Sequence, residues 1–414
     1  MSDVGKDAAS ADGAAEHPIE SDARRLTGDD LVIDPESSAD GSPIRPAEGS
    51  VDSPPGPGLP ESLVWMGGML GLQVIGGVIG FALIVVLYLI DTGALGRAND
   101  DPSPITGETL KVIQREYVGT LFGVIQTVTV LGAATAVFFR LGRERRRRLP
   151  LTPIPWRHVA LILAAMLPLV VVSMQLNLCA DWVWEQVTER FPSLKPFDDV
   201  SSMAAVEKLA RRTSFLWLLF MVAVAPAIAE ELVFRGAIGR GLIARWGIPG
   251  GVLLTSLLFA AMHVHPPQVV ALIPLSIFIH VTYIATRSFW APVMVHFLNN
   301  GLAVVALTVI LGLPESVKQP DSPPVSALML LSSGFCAAML TVTLWKSRVQ
   351  FIDWDGREWT PGYPAVEWPP EDLPLHARCR PTDLRDWAPA AVGLGVFIVA
   401  AIVAGVLSEA GWQV

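Results

Sequence analysis

The chain has 414 residues, 51% of them hydrophobic and 17% charged, with a mean hydropathy of +0.47. That balance excludes an ordinary soluble domain and points to a chain that crosses a membrane several times. The net charge of −9 sits in residues 1–60, which hold 13 acidic and 4 basic side chains, so the remainder is neutral. No basic-aromatic patch suggests nucleic acid as a partner.

In chain order, residues 1–60 are rich in Ala, Asp, Ser, Gly and Pro and end in SPPGPGLP. Low hydrophobicity with high charge predicts a disordered acidic tail. The first apolar run begins near Leu63, too late and too long for a secretory leader, and is read as a first span. A bilayer core takes about 20 apolar residues per helix. Such runs fall at 63–90, 118–139, 158–180, 214–235, 251–266, 268–286, 290–312, 325–345 and 388–410. The run at 251–266 is short, so the expectation is an all-α polytopic membrane bundle of eight to nine transmembrane helices.

Basic residues predict the orientation. Arg140, Arg143 and Arg145 to Arg148 lie in RLGRERRRR and belong in the cytoplasm, which places the N-terminus there too. Arg240, Arg245, Arg287, Lys346 and Arg348 fall on the same side. The 181–213 loop is an exception, with Arg190, Lys195, Lys208, Arg211 and Arg212. Within it MAAVEKLARR reads as an interfacial helix. Residues 347–387 form a polar, Trp/Pro-rich insert before the final span. The three cysteines, Cys179, Cys336 and Cys379, form no disulfide or metal-binding pattern.

Three spans carry polar groups that a bilayer disfavours, by roughly 2.5–3.5 kcal/mol for an Asp at a helix centre. The first holds VAPAIAEELVFRGAIGR. Glu231 and Arg235 are four apart, on one face, with the acid first, which is the favourable order for a pair. Glu230 lies about 100° away with no local partner. An acid left free in low dielectric has its pKa pushed upward and suits a general base acting on water. The second motif, LLFAAMHVHPP, puts Phe259 and His263 four apart. The third, APVMVHFLNNGLAVV, does the same for His296 and Asn300. Of seven histidines, four lie between 263 and 296. His280 lacks a helical partner and reads as a packing residue, and His265, beside Pro266 and Pro267, reads as peripheral.

Taken together, and in this order, EELVFR, FAAMH and HFLNN resemble the CAAX prenyl protease type II family, also known as CPBP or Abi intramembrane proteases. The resemblance spans roughly residues 160–312. It implies that Glu230 activates water, that His263, His296 and Asn300 complete the catalytic group, and that Glu231, Arg235 and Phe259 support it. It implies a protein or peptide substrate, lipidated as in CAAX processing, or a role in bacteriocin processing or immunity, and a multi-pass protein of the cell membrane. The domain reading follows: an acidic tail over 1–60, two additional spans and a basic loop over 61–150, a protease core over 151–312, and C-terminal spans with the insert over 313–414.

Metal stays open at this point. The family has been classed with metallopeptidases, and Glu230, His263 and His296 could hold zinc with water in the open position. The chain has no H-E-x-x-H, and a metal-free, glutamate-activated water accounts for the residues as well. The competing class is an ion- or proton-coupled transporter, in which Glu, His and Asn line a path. Its expected mark, an inverted repeat with broken spans in matching halves, is not visible.

Overall fold

A computed structural model of the chain describes residues 56–93, 111–112, 115–200, 202–313, 326–352, 356–371, 373, 375 and 377–409. Most of the predicted acidic tail lies outside these residues. Among them, eight helices are long and apolar enough to cross a membrane. They are α1 (Leu59–Asp91), α2 (Val118–Leu141), α3 (Trp156–Arg190), α4 (Phe215–Ala261), α5 (Pro266–Thr286), α6 (Trp290–Gly312), α7 (Ala327–Lys346) and α8 (Leu384–Glu409). A short helix, Ser202–Ala210, forms where MAAVEKLARR predicts one.

The expected spans at 214–235 and 251–266 are one continuous helical run, α4. At 1.5 Å per residue its 47 residues would reach about 70 Å, more than twice the bilayer core. The run does not go straight. Gly247 has φ 69° and ψ 176°, a conformation open almost only to glycine, and there the chain doubles back. A Cβ on Gly251 would lie 2.5 Å from the Ile243 Cα, so the two arms press together beside the turn. Eight helices therefore hold nine apolar segments.

Packing places the three polar motifs in the middle of the bundle. α1 lies along α2, and α2 along the first arm of α4. α3 packs on α5 and α7, α8 lies on α7, and α6 meets both α4 and α5. α5 is the most enclosed span, while α1, α2 and α8 face outward. In lipid no hydrophobic drive joins helices, so close backbone approach matters. Gly76 and Gly80 of α1 supply it, since a Cβ at Gly76 would sit 2.8 Å from the Ile125 Cα of α2.

One end of the bundle gathers the basic residues expected to share a side. Arg140 pairs with Glu61 at 3.0 Å, and Lys346 with Asp386 at 3.2 Å. The 347–387 insert folds over the same end around two short antiparallel strands, β1 (Val349–Phe351) and β2 (Ala377–Cys379), which the polar composition does not foretell. Trp359 and Trp368 pack edge-on against Phe351. Glu358 bridges Arg287 at 3.2 Å and Arg348 at 3.0 Å. Glu367, fully buried, receives Arg240 and, at 3.3 Å, Arg147.

Candidate active site

The first arm of α4 carries both glutamates between two π-helical turns, Phe220–Val224 and Leu232–Ile238. Wide turns of this kind recur at functional sites. Pro226 has no N–H to offer Val222 four residues back. Asn300 of α6 answers instead, its Nδ2 donating to the Val222 carbonyl at 3.0 Å. Asn299, the neighbouring residue on α6, donates from Nδ2 to Asn300 Oδ1 at 3.0 Å. One Asn300 amide proton is thus committed to holding α6 on α4, and the second is left for another acceptor.

Glu231 and Arg235 form the pair that their spacing predicts. Both side chains are wholly buried, and they approach to 3.0 Å. Arg235 also donates from Nη2 to the carbonyl and hydroxyl of Ser276 on α5, each at 3.1 Å. Its guanidinium carbon lies 4.8 Å from the centre of the Phe259 ring, which completes a closed setting for the charge. Phe259 is therefore a partner of Arg235 as well as a packing neighbour of His263 and His296, at 5.5 and 5.6 Å between ring centres.

A contact that spacing alone does not reveal joins Glu231 to α6. His296 Nδ1 donates to Glu231 Oε1 at 2.8 Å. The carboxylate fixes the tautomer and orientation of the ring, as second-layer carboxylates do for functional histidines. It leaves Nε2 free of Glu231. That nitrogen stands 3.9 Å from Glu230 Oε2. Glu230 keeps 21% of its side-chain surface, whereas Glu231 keeps none. The adjacent acids thus divide: Glu231 is enclosed by Arg235 and His296, and Glu230 faces the ring from an accessible position.

His263 lies in the turn after α4, half-buried, with its Nδ1 3.3 Å from the Phe259 carbonyl. Glu230 and His296 are within electrostatic reach of it. His280 packs elsewhere, against Gly239, where a Cβ would meet its ring at 2.5 Å. His265 caps the start of α5. Two further partners escape sequence reading. Ser276 is a lone hydroxyl in an apolar span, and the Val222 carbonyl is signalled only by Pro226.

Zinc would need donors about 2.0–2.2 Å from one point. His296 Nδ1 is taken by Glu231, and its Nε2 is 3.9 Å from Glu230. Among the described residues no three His, Cys, Asp or Glu side chains converge as a metal's donors. Glu230, His263 and His296 do not make a preset cage in this arrangement.

A membrane helical bundle with a buried Glu–His pair beside an accessible acid has the form of an intramembrane hydrolase. Residues 212–302 match the family model described as type II CAAX prenyl endopeptidase, Rce1-like. That family comprises intramembrane CAAX proteases, which are peptide hydrolases, and the three motifs all fall inside the matched segment. The resemblance read from the motifs therefore holds for this core. No curated protein and no solved structure matches the chain.

Proposed function

We propose that this CAAX-type membrane endopeptidase cleaves its substrate with a water activated by Glu230. Glu230, aided by His263, takes a proton from water as the oxygen attacks the scissile carbonyl. The tetrahedral intermediate carries the charge on its oxygen. His296 Nε2, when the ring is protonated, and the uncommitted Asn300 amide proton are the donors that stabilise it. Glu231 stabilises the imidazolium from the other side of the ring. The proton held by Glu230 then passes to the leaving amine, giving one new carboxylate and one new amine. The substrate is a membrane-associated protein or peptide, lipidated in CAAX-like processing or a bacteriocin-type peptide. The basic end faces the cytoplasm of a cell-membrane protein, with the N-terminus on the same side.

The observation that carries this reading is the division between the two glutamates: one enclosed and doubly bonded, the other accessible and facing His296 Nε2. The test compares new peptide termini in membranes bearing wild type or Glu230→Gln at equal folded amounts. Wild type is expected to yield termini that the variant lacks, a loss of about 10²–10⁴-fold in rate. Equal cleavage by the variant would remove Glu230 from the mechanism. A chelator added to wild type separates water activated by the carboxylate from water activated by a metal.

A further inference from the structure

Glu367 lies 65 residues beyond the matched segment 212–302, in the polar insert, yet it holds Arg240 on the first arm of α4 and Arg287 in the turn between α5 and α6. Its carboxylate is 0% exposed. It receives Arg240 of α4, Arg147 of the basic loop at 3.3 Å and the Tyr363 hydroxyl at 3.3 Å. Its main-chain carbonyl receives Arg287 Nη1 at 2.9 Å. Arg240 is five residues past Arg235 on α4. Arg287 ends α5 in the left-handed conformation (φ 47°), in the turn that leads into α6, nine residues before His296. The adjoining Trp368 N–H bonds the Arg147 carbonyl at 3.0 Å, and Arg287 is held again by Glu358. One residue thus ties the first arm of α4, close to its reversal, to the turn that joins α5 and α6, through two different groups.

We propose that Glu367 is a positioning residue for the hydrolase site. It sets the separation between Glu230 on α4 and His296 on α6. That separation, 3.9 Å between Glu230 Oε2 and His296 Nε2, is longer than a hydrogen bond. Misplacement of about 1 Å can cost about 10²-fold in rate, so the spacing is where a brace acts on turnover. A buried carboxylate with three donors has little freedom to slide, and a helix held at one end transmits that restraint along its length. The insert is then a working part of the enzyme, although it touches neither the water nor the scissile bond.

This inference rests on the hydrolase reading, and the test separates the two. Full-length wild type, Glu230→Gln, Glu367→Gln and the double variant Glu367→Ala/Arg240→Ala are assayed in detergent. The probe is a fluorogenic peptide ending in a farnesylated Cys-aliphatic-aliphatic-Xaa sequence. Glu367→Gln is expected to lower kcat about 10- to 100-fold while KM stays within about twofold. The double variant removes with the acid the more enclosed of its two arginines, and Arg147 keeps Glu144, so folded yield returns toward wild type while kcat stays low. A merely structural role would return kcat along with the yield, and that result would overturn the inference. So would a wild-type kcat in folded Glu367→Gln. Turnover that does not depend on Glu230 would instead overturn the hydrolase mechanism on which the inference stands.

Discussion

At the scale of single residues, Glu231 decides the most. Its carboxylate neutralises a wholly buried arginine and orients a histidine on another helix. Breaking a buried ion pair by removing one partner costs about 3–5 kcal/mol, because the remaining charge stays buried. Glu231→Gln is therefore expected to lower stability by about that amount in a denaturation series, whereas Glu230→Gln, at a partly exposed site, stays within about 1 kcal/mol. A small effect at Glu231 with a large one at Glu230 would reverse the division between them. The Glu231–Arg235 pair is legible in the sequence because four residues make one helical turn. The Glu231–His296 bond is not, since helical periodicity says nothing about a partner 65 residues away. Ser276 is hidden for the same reason, and only Pro226 hints that something must answer the Val222 carbonyl.

At the scale of elements, hydropathy locates the apolar segments well and their continuity poorly. The segments at 214–235 and 251–266 are both present, but the stretch between them is helical apart from the turn. The sequence leaves residues 236–250 between two apolar runs, and composition does not say whether a loop or a one-residue reversal joins them. Gly247 supplies the reversal with a backbone conformation that a Cβ opposes. Gly247→Ala is expected to lose about 1–3 kcal/mol by thermal denaturation in detergent. A neutral result would mean that the arms, and not the turn, hold the reversal. The π turns either side of the glutamates are likewise invisible to pattern reading, which assumes one helical period throughout.

At the scale of the whole molecule, the insert and the basic end form one electrostatic unit. The sequence marks 347–387 as polar, and the positive-inside bias gathers its arginine partners on one side. The strands of three residues are too short to announce themselves. Glu358 sits in this unit with its carboxyl held below the ordinary 4.5. Burial raises it, and hydrogen bonds from Gln350 and Arg348 with the charges of Arg348 and Arg287 outweigh that. A depressed carboxylate stabilises the fold fully above its ordinary value and loses that contribution as pH falls through the lower, folded one. Backbone exchange protection of Val349–Phe351, corrected for intrinsic rates, is expected to fall as pH is lowered past the carboxyl's ordinary 4.5 while spans stay protected. Protection that stays constant as the carboxyl is titrated would show that the strands do not depend on Glu358. The reversal at Gly247 also governs when the site is born. The two arms of α4 are consecutive in the chain and close over a short loop, at small entropic cost and with low contact order. Glu230 and His263 can therefore meet while α5 and α6 are still being synthesised. His296 arrives later, and Glu367 later still. On the proposed mechanism a nascent chain stays inert until α6 has been made and reaches full turnover only once the insert has closed over the basic end.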